Sequence, residues 1–314
     1  MPLALDASNF VAAVKHIFSD SWLGLASLFV IFYFYHMLGI TVGYHRLLAH
    51  RSFSCPKWIE YFFVSSGYLA FQSSPIWWAT IHRGHHRFVD TQYDPHSPRY
   101  GIFHSFIGWA FKNSYTDDLN PQRQSKDLIK DPFYMFLEQG GDWRRMHALN
   151  SIIGFSSRLL LFFVFGYKIA LVSVFAGLAA QQLPFLLNLI CHIPQLGYRN
   201  FVGKDDSVNI WWVAFLTTGE GWHNNHHHTP GSAKSGLKWW EFDPAYWVIS
   251  MLGAVGLAKK INVWGSIVEA LCLAECLGLD GPDIQTSVKS SSDIDRCSGD
   301  GDDRKDHSCA AHQY

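Results

Sequence analysis

The chain has 314 residues, of which 48% are apolar, 16% aromatic and only 16% charged, with a formal net charge of -1. That balance excludes the basic surplus of a nucleic-acid-binding protein, and the apolar content excludes a disordered or collagen-like chain. Six cysteines, at 55, 191, 272, 276, 297 and 309, form neither a CxxC pair nor a dense secreted framework, so they read as free thiols in a reducing compartment.

Taken in chain order, the N-terminal arm 1–21 lacks the apolar run and small-residue cleavage site of a signal peptide, and 10–18 reads as a short amphipathic helix. Residues 22–41 carry no Asp, Glu, Lys or Arg, and about 20 apolar residues cross a bilayer as a helix. The stretch 58–78 is also apolar, with Glu60 near its start and Gln72, Ser73, Ser74 and Pro75 near its end. Segments 152–165 and 169–193, joined by Gly166, Tyr167 and Lys168, read as a membrane hairpin interrupted only by Arg158. Lys and Arg placement puts 99–146 and 199–240 on the cytoplasmic side. Both ends of 58–78 then lie on that side, so it is predicted to rest in the interface or dip in and out. The predicted fold is an all-α integral membrane protein with few transmembrane helices and a cytoplasmic helical cap. Its membrane domain covers 22–264, followed by a segment 265–314 that is disordered from about 286.

Seventeen histidines stand out, and most fall in short groups. His45 and His50 follow the first span; His82, His85 and His86 follow the interfacial stretch; Asn188 and His192 end the hairpin; His223, His226 and His227 come last. Residues three or four apart share a helical face, so His82 with His85 and His86, or Asn188 with His192, aim at a common point. The five-residue step from His45 to His50 calls for an unwound helix end or for two different metals. Nine unpaired imidazoles at a dry interface would each need a partner, and metal coordination satisfies them together. Four ligands close one structural zinc, whereas nine or ten imply two metals with redox work, iron rather than zinc.

HRLLAH, HRGHH and GEGWHNNHH, in that order and with the hairpin between the second and third, resemble the three histidine boxes of the membrane fatty-acyl desaturases. The similarity runs from about 25 to 264 and includes DPHSPRYG at 94–101 and GLKWWEFDP at 236–244. Short bacterial and plant-type delta-9 enzymes, of the stearoyl-CoA desaturase kind, are similar in length and wording. The resemblance implies a di-iron centre that uses dioxygen and two electrons to introduce a cis double bond into a saturated acyl chain. It implies as ligands His45, His50, His82, His85, His86, His192, His223, His226 and His227, with Asn188 acting through water. His228 is expected to be a spectator, and His96 and His104 fall outside the ligand set. Asp94 and Glu220 flank the boxes and are expected to accept imidazole protons. Two departures stand out. Animal-type members have two spans before the first box, where only 1–21 precedes the first span here, and Pro184-Phe185 replaces a Thr-Trp pair at the substrate tunnel. Met37 and Tyr33, eight and twelve residues before His45, are expected to line that tunnel with Pro184 and Phe185.

The chain contains no GxGxxG fingerprint, no CxxCH and no HPGG motif, so no bound nucleotide or haem is expected. Electrons then come from a separate ferredoxin or cytochrome b5-type donor with its reductase. A di-iron fatty-acid or alkane hydroxylase is the alternative enzyme. A membrane metal-binding or transport protein is the non-enzyme alternative, although 22–41 offers only His36 as an intramembrane ligand. The acyl carrier, whether CoA, a glycerolipid or a carrier protein, stays open. Arg46, Arg51, Arg83, Arg87, Arg99 and Lys112 near the boxes read either as ordinary charge at a lipid surface or as a site for a phosphorylated headgroup.

Overall fold

The computed structural model describes residues 7–111, 115 and 118–264. The chain divides into two compact units, Met1–Val263 and Trp264–Tyr314. The tail expected from 286 lies outside the described residues, and so does Lys112. The described residues form helices and loops with isolated bridges and no strand.

Helix α1 (Ala7–Ser19) covers the expected amphipathic segment and buries none of its residues. Ser21 accepts a hydrogen bond from Gly24 N and so caps α2 (Trp22–Leu38), an uncharged helix that is apolar on every side, as suits lipid and helix neighbours. The span does not stop at 41 as its composition predicted. It widens into a π-helix (Gly39–Ala49), giving one membrane-competent helix from Trp22 to Ala49. Helix α3 (Lys57–Leu69) packs on that π-helix through glycines: a Cβ on Gly39 would lie 2.2 Å from Gly67 N. At 13 residues, about 20 Å long, α3 is too short to span a bilayer. A turn with Phe71 and Ser73 at φ 58° and 63° leads to the Ser74 cap of α4 (Pro75–Phe88). The stretch 58–78 is thus two helices and a turn.

Three short helices follow, α5 (Ile102–Phe106), α6 (Pro121–Gln124) and α7 (Pro132–Glu138). The hairpin comes next, as α8 (Trp143–Phe165) and α9 (Tyr167–Ile190), turning at Gly166 with φ 91°, where a side chain would be strained. Both are long and apolar enough to cross a membrane. The first begins nine residues before the apolar run at 152, because Asp142 caps it by accepting from Arg145 N. The last stretch holds α10 (Trp211–Leu216), α11 (His223–His228) and α12 (Pro244–Ala254).

The hairpin supplies the donors that the α3–α4 turn needs, since backbone carbonyls away from water must be paired. Asn150 Nδ2 donates to Tyr68 O at 2.8 Å, Arg158 Nη2 to Leu69 O at 2.7 Å and Gln181 Nε2 to Phe71 O at 3.0 Å. Arg158, the one charge inside the two predicted apolar segments of the hairpin, is therefore a buried clamp, and His36 Nε2 lies 3.2 Å from it.

Candidate metal centre

Helices α4 and α11 each present histidines in two directions. His82 and His86 are four apart and share a face, while His85 projects about 100° away from its neighbour His86. In α11, His223 and His227 share a face and His226 points elsewhere. The two helices consequently serve two groups side by side: His45, His50, His82, His86 and His226 in one, and His85, His192, His223 and His227 in the other. The rings of His86 and His227, one from each group, have centroids 4.5 Å apart.

His45 and His50 fall in the same group, and the π-helix is the reason. His50 N donates to His45 O across five residues at 3.0 Å, so the two residues stack one above the other on the wider helix. Neither an unwound end nor two separate metals is needed for that spacing, which corrects the expectation from the sequence. His192 reaches the second group from just beyond the end of α9. Asn188, one turn before His192 on α9, lines the adjacent cavity.

In the first group the Nε2 atoms form a row, with His45–His226 at 3.1 Å, His226–His86 at 2.9 Å, His86–His82 at 3.1 Å and His82–His50 at 2.8 Å. In the second, His192–His223 is 3.1 Å, His223–His227 3.0 Å and His227–His85 3.4 Å. A neutral imidazole nitrogen carries either a proton or a lone pair, so each can complete one N–H···N bond. Protons can therefore satisfy at most two of the four contacts in the first row. A cation bound by every lone pair satisfies all of them. Metal–imidazole bonds of about 2.1 Å place neighbouring ligand nitrogens about 3.0 Å apart at right angles, the spacing seen here. Either group can hold a metal ion.

The charge states agree. Burial first, and then repulsion from neighbouring rings, hold His50, His82, His86, His223, His226 and His227 well below the usual imidazole range, leaving neutral lone-pair donors. Carboxylates sit on the opposite nitrogens. His85 Nδ1 lies 3.0 Å from Asp94 Oδ1, and His45 Nδ1 lies 2.8 Å from Glu220 Oε2, off the line of an ideal hydrogen bond. Burial alone would raise Asp94, but the adjacent His85 ring, hydrogen-bonded to it, holds it below the usual carboxylate range; for Glu220 the Arg46 guanidinium does the same. Sequence reasoning missed Asp90, whose Oδ2 lies 3.3 Å from His192 Nδ1; its position four residues before Asp94, just past the second box, was the available signal. Arg46 was also misread. It is buried, with Nε 2.9 Å from Glu220 and Nη2 2.9 Å from Asp243, so it serves the site and not a headgroup. Arg51 and Arg83 pair with Asp127, and Arg99 with Asp206.

His96 is buried against His85, with ring centroids 4.2 Å apart, and joins His85 and Asp94 in a third, smaller group whose donor atoms converge. His228 is in none of the three groups and stacks on Phe201 with centroids 3.8 Å apart. A cavity of about 160 Å³ begins at His45, His82, His223 and Glu220 and continues between Trp77, Trp78, Ile81 and Phe185. Met37, Pro184 and Phe185 line it. Tyr33 does not, because its hydroxyl is turned to donate to Leu216 O at 2.6 Å.

Comparison with known proteins agrees with this arrangement. The sequence profile of the fatty acid desaturase family matches residues 20–256. The chain is 41% identical over 226 residues to a probable chloroplastic lipid desaturase of Arabidopsis thaliana, covering 71% of this chain and 60% of that one. It is 38% identical to an sn-1 stearoyl-lipid 9-desaturase of Anabaena variabilis, covering 77% and 85%, and 38% identical to an acyl-CoA 5-desaturase of Anemone leveillei, covering 72% and 68%. With a family match over most of its length, paired histidine groups and an apolar cavity running from them, the chain belongs to the fatty acid desaturase family, whose members are oxidoreductases acting as acyl desaturases.

Proposed function

We propose that this chain introduces a cis double bond at the delta-9 position of a saturated acyl chain, using dioxygen and two electrons delivered by a separate ferredoxin or cytochrome b5-type protein with its reductase. The observation that carries the reading is two groups of converging imidazole nitrogens at the end of an apolar cavity. The nine histidines of the two groups would hold two irons, with Asn188 acting on the second group through water. Residues 22–264 are the functional unit, with the arm 1–21 and the segment 265–314 outside it. The boxes face the cytoplasm, supported by the Lys and Arg surplus of the polar stretches.

Two irons bound there would supply the oxidising power that removes hydrogen from unactivated methylenes. The chain's own residues do the rest. Trp77, Trp78, Ile81 and Phe185 exclude water and hold the acyl chain extended past the histidines, so position along the cavity fixes which methylene pair is presented. Asp94, Asp90 and Glu220 hold His85, His192 and His45 with their Nε2 lone pairs turned inward. The stearoyl-lipid 9-desaturase and the acyl-CoA 5-desaturase differ in the acyl carrier and bond position of their names, which leaves both to experiment.

The test is expression in a host lacking the activity, with isolated membranes fed labelled acyl-CoA and labelled phospholipid separately and the double bond located by gas chromatography. Anaerobically purified active protein should contain two irons per chain by elemental analysis. One metal or none in an active sample would overturn the di-iron assignment.

A further inference from the structure

Outside the histidine site, the described surface carries exposed apolar side chains on two short helices that the site does not explain. On α10, Trp211 and Phe215 are 63% and 61% exposed, four residues apart. On α12, Trp247 and Met251 are 56% and 70% exposed, and Val255, which caps the helix, is 69% exposed, at i, i+4 and i+8, a single stripe. Such a face on water-facing helices is costly, and contiguous apolar surface of this kind marks an interaction site.

Two observations fix its partner. Tyr33 OH donates to Leu216 O at 2.6 Å, and Tyr33 is the twelfth residue of the 28-residue span Trp22–Ala49. The C-terminal end of α10 is thereby tied to a point near the middle of a membrane-crossing helix. Helical side chains lean toward their own N-terminus, which carries that point further still from the histidines. The second observation concerns the last carbonyls of α10, which water would satisfy at a protein surface. Here three of the last four are paired within the chain, Val213 O with Thr217 N, Ala214 O with Gly219 N and Leu216 O with the Tyr33 hydroxyl, as a helix end in hydrocarbon favours. Thr218 O then accepts from Ala245 N, which ties the end of α10 to the start of α12. Past the far end of the α12 stripe come exposed Lys259 and Lys260, with Lys259 bridged to Ser54 beyond the first histidine pair. An apolar stripe followed by two lysines is the profile of a helix rising from acyl chains to headgroups.

We propose that α10 and α12 form a membrane-dipping pair that inserts the Trp211–Phe215 face and the Trp247–Met251–Val255 stripe into the hydrocarbon of the leaflet next to the histidine site. The third box is then held to the bilayer on both flanks, α10 before it and α12 after it. The inference rests on the membrane reading of the three long helices and is independent of which acyl carrier is used.

Nitroxide labels at Phe215→Cys and Met251→Cys test it, in full-length chain whose native cysteines are replaced and which is reconstituted in phosphatidylcholine vesicles. Leu160, 64% exposed on α8, and Val202, 99% exposed in a loop, provide reference labels. Both test sites should match Leu160, open to dissolved oxygen and closed to a water-soluble nickel chelate. Access of nickel at both sites equal to that at Val202 would overturn the proposal. So would shielding of both sites from nickel only after a soluble electron-donor protein is added, since the face would then be a protein dock. Product formation by the same vesicles, supplied with a donor, its reductase, dioxygen and saturated acyl substrate, is scored separately: a chain with no desaturation but lipid-buried labels would refute the enzymatic reading and leave the dip standing.

Discussion

His227 and His228 are adjacent and chemically identical, yet the structure separates their work. His227 Nε2 sits 3.0 Å from His223 Nε2 in the second group, while the His228 ring lies flat against Phe201. Replacing His50, His86 or His227 with alanine should reduce product to background while the protein still inserts, whereas His228→Ala should keep most of the activity. Product yield per mole of membrane-extracted protein is the readout, and a His228→Ala variant as inactive as His227→Ala would break the register of the third box. The histidines were legible because their spacing matches helical faces. Their carboxylate partners were only half legible: Asp94 and Glu220 lie close to the boxes, but Asp90 meets His192 from 102 residues away. Arg46 illustrates the limit. A cation after a membrane span reads as surface charge, and only the fold reveals Glu220 and Asp243 closing around it in a buried network, where removing one partner costs far more than a surface pair contributes.

Among the elements, the three long helices follow directly from apolar run length, but their ends do not. The π-helix is the clearest case. Its sequence, GITVGYHRLLA, has no mark that separates it from an α-helix, and its one trace is the five-residue histidine step. What stabilises it is packing on α3 across Gly39, Gly43 and Gly67. A Cβ on Gly39 would meet backbone at 2.2 Å and one on Gly43 would come within 3.0 Å of Phe63, and backbone cannot move aside as a flexible side chain can. Gly39→Ala is therefore expected to destabilise the protein by about 1–3 kcal/mol, as overpacking does, and to lower bound iron because His45 and His50 are displaced together. Gly231→Ala, with nothing within 4 Å of its Cβ, is the matched control and should change neither. Thermal unfolding in detergent with metal analysis checks both, and equal behaviour of the two variants would show that the glycine seam does not hold the π-helix.

At the scale of the whole molecule, the cavity links the histidine layer to the membrane interior, and its depth can be counted along two chains. Met37 precedes His45 by eight residues and Gln181 precedes His192 by eleven, and both line the cavity, so its floor lies roughly 10–16 Å below the converging imidazole nitrogens. The sequence anticipated Met37 from helical phase but could not exclude Tyr33, because both lie on one face and only the third dimension shows the Tyr33 hydroxyl committed to Leu216. Met37 is 1% exposed and packs with Ile40, Ala70 and Ala180, so under the proposed function its thioether would stop the methyl end of an acyl chain. Truncating it leaves a void that the surrounding helices fill only in part, so Met37→Ala should admit about one or two further methylenes and move the chain-length optimum upward. The double bond should stay at the same distance from the carboxyl end, because the histidines and the headgroup set that distance and the floor does not. Tyr33→Phe loses a hydrogen bond to α10 but no cavity wall, so its chain-length profile should match the parent chain. Gas chromatography of products from a mixture of saturated chains of graded length decides the matter. A Met37→Ala profile identical to the parent, with activity retained, would place the end of the acyl site on another wall, where Phe71 and Gln181 are the next side chains to truncate.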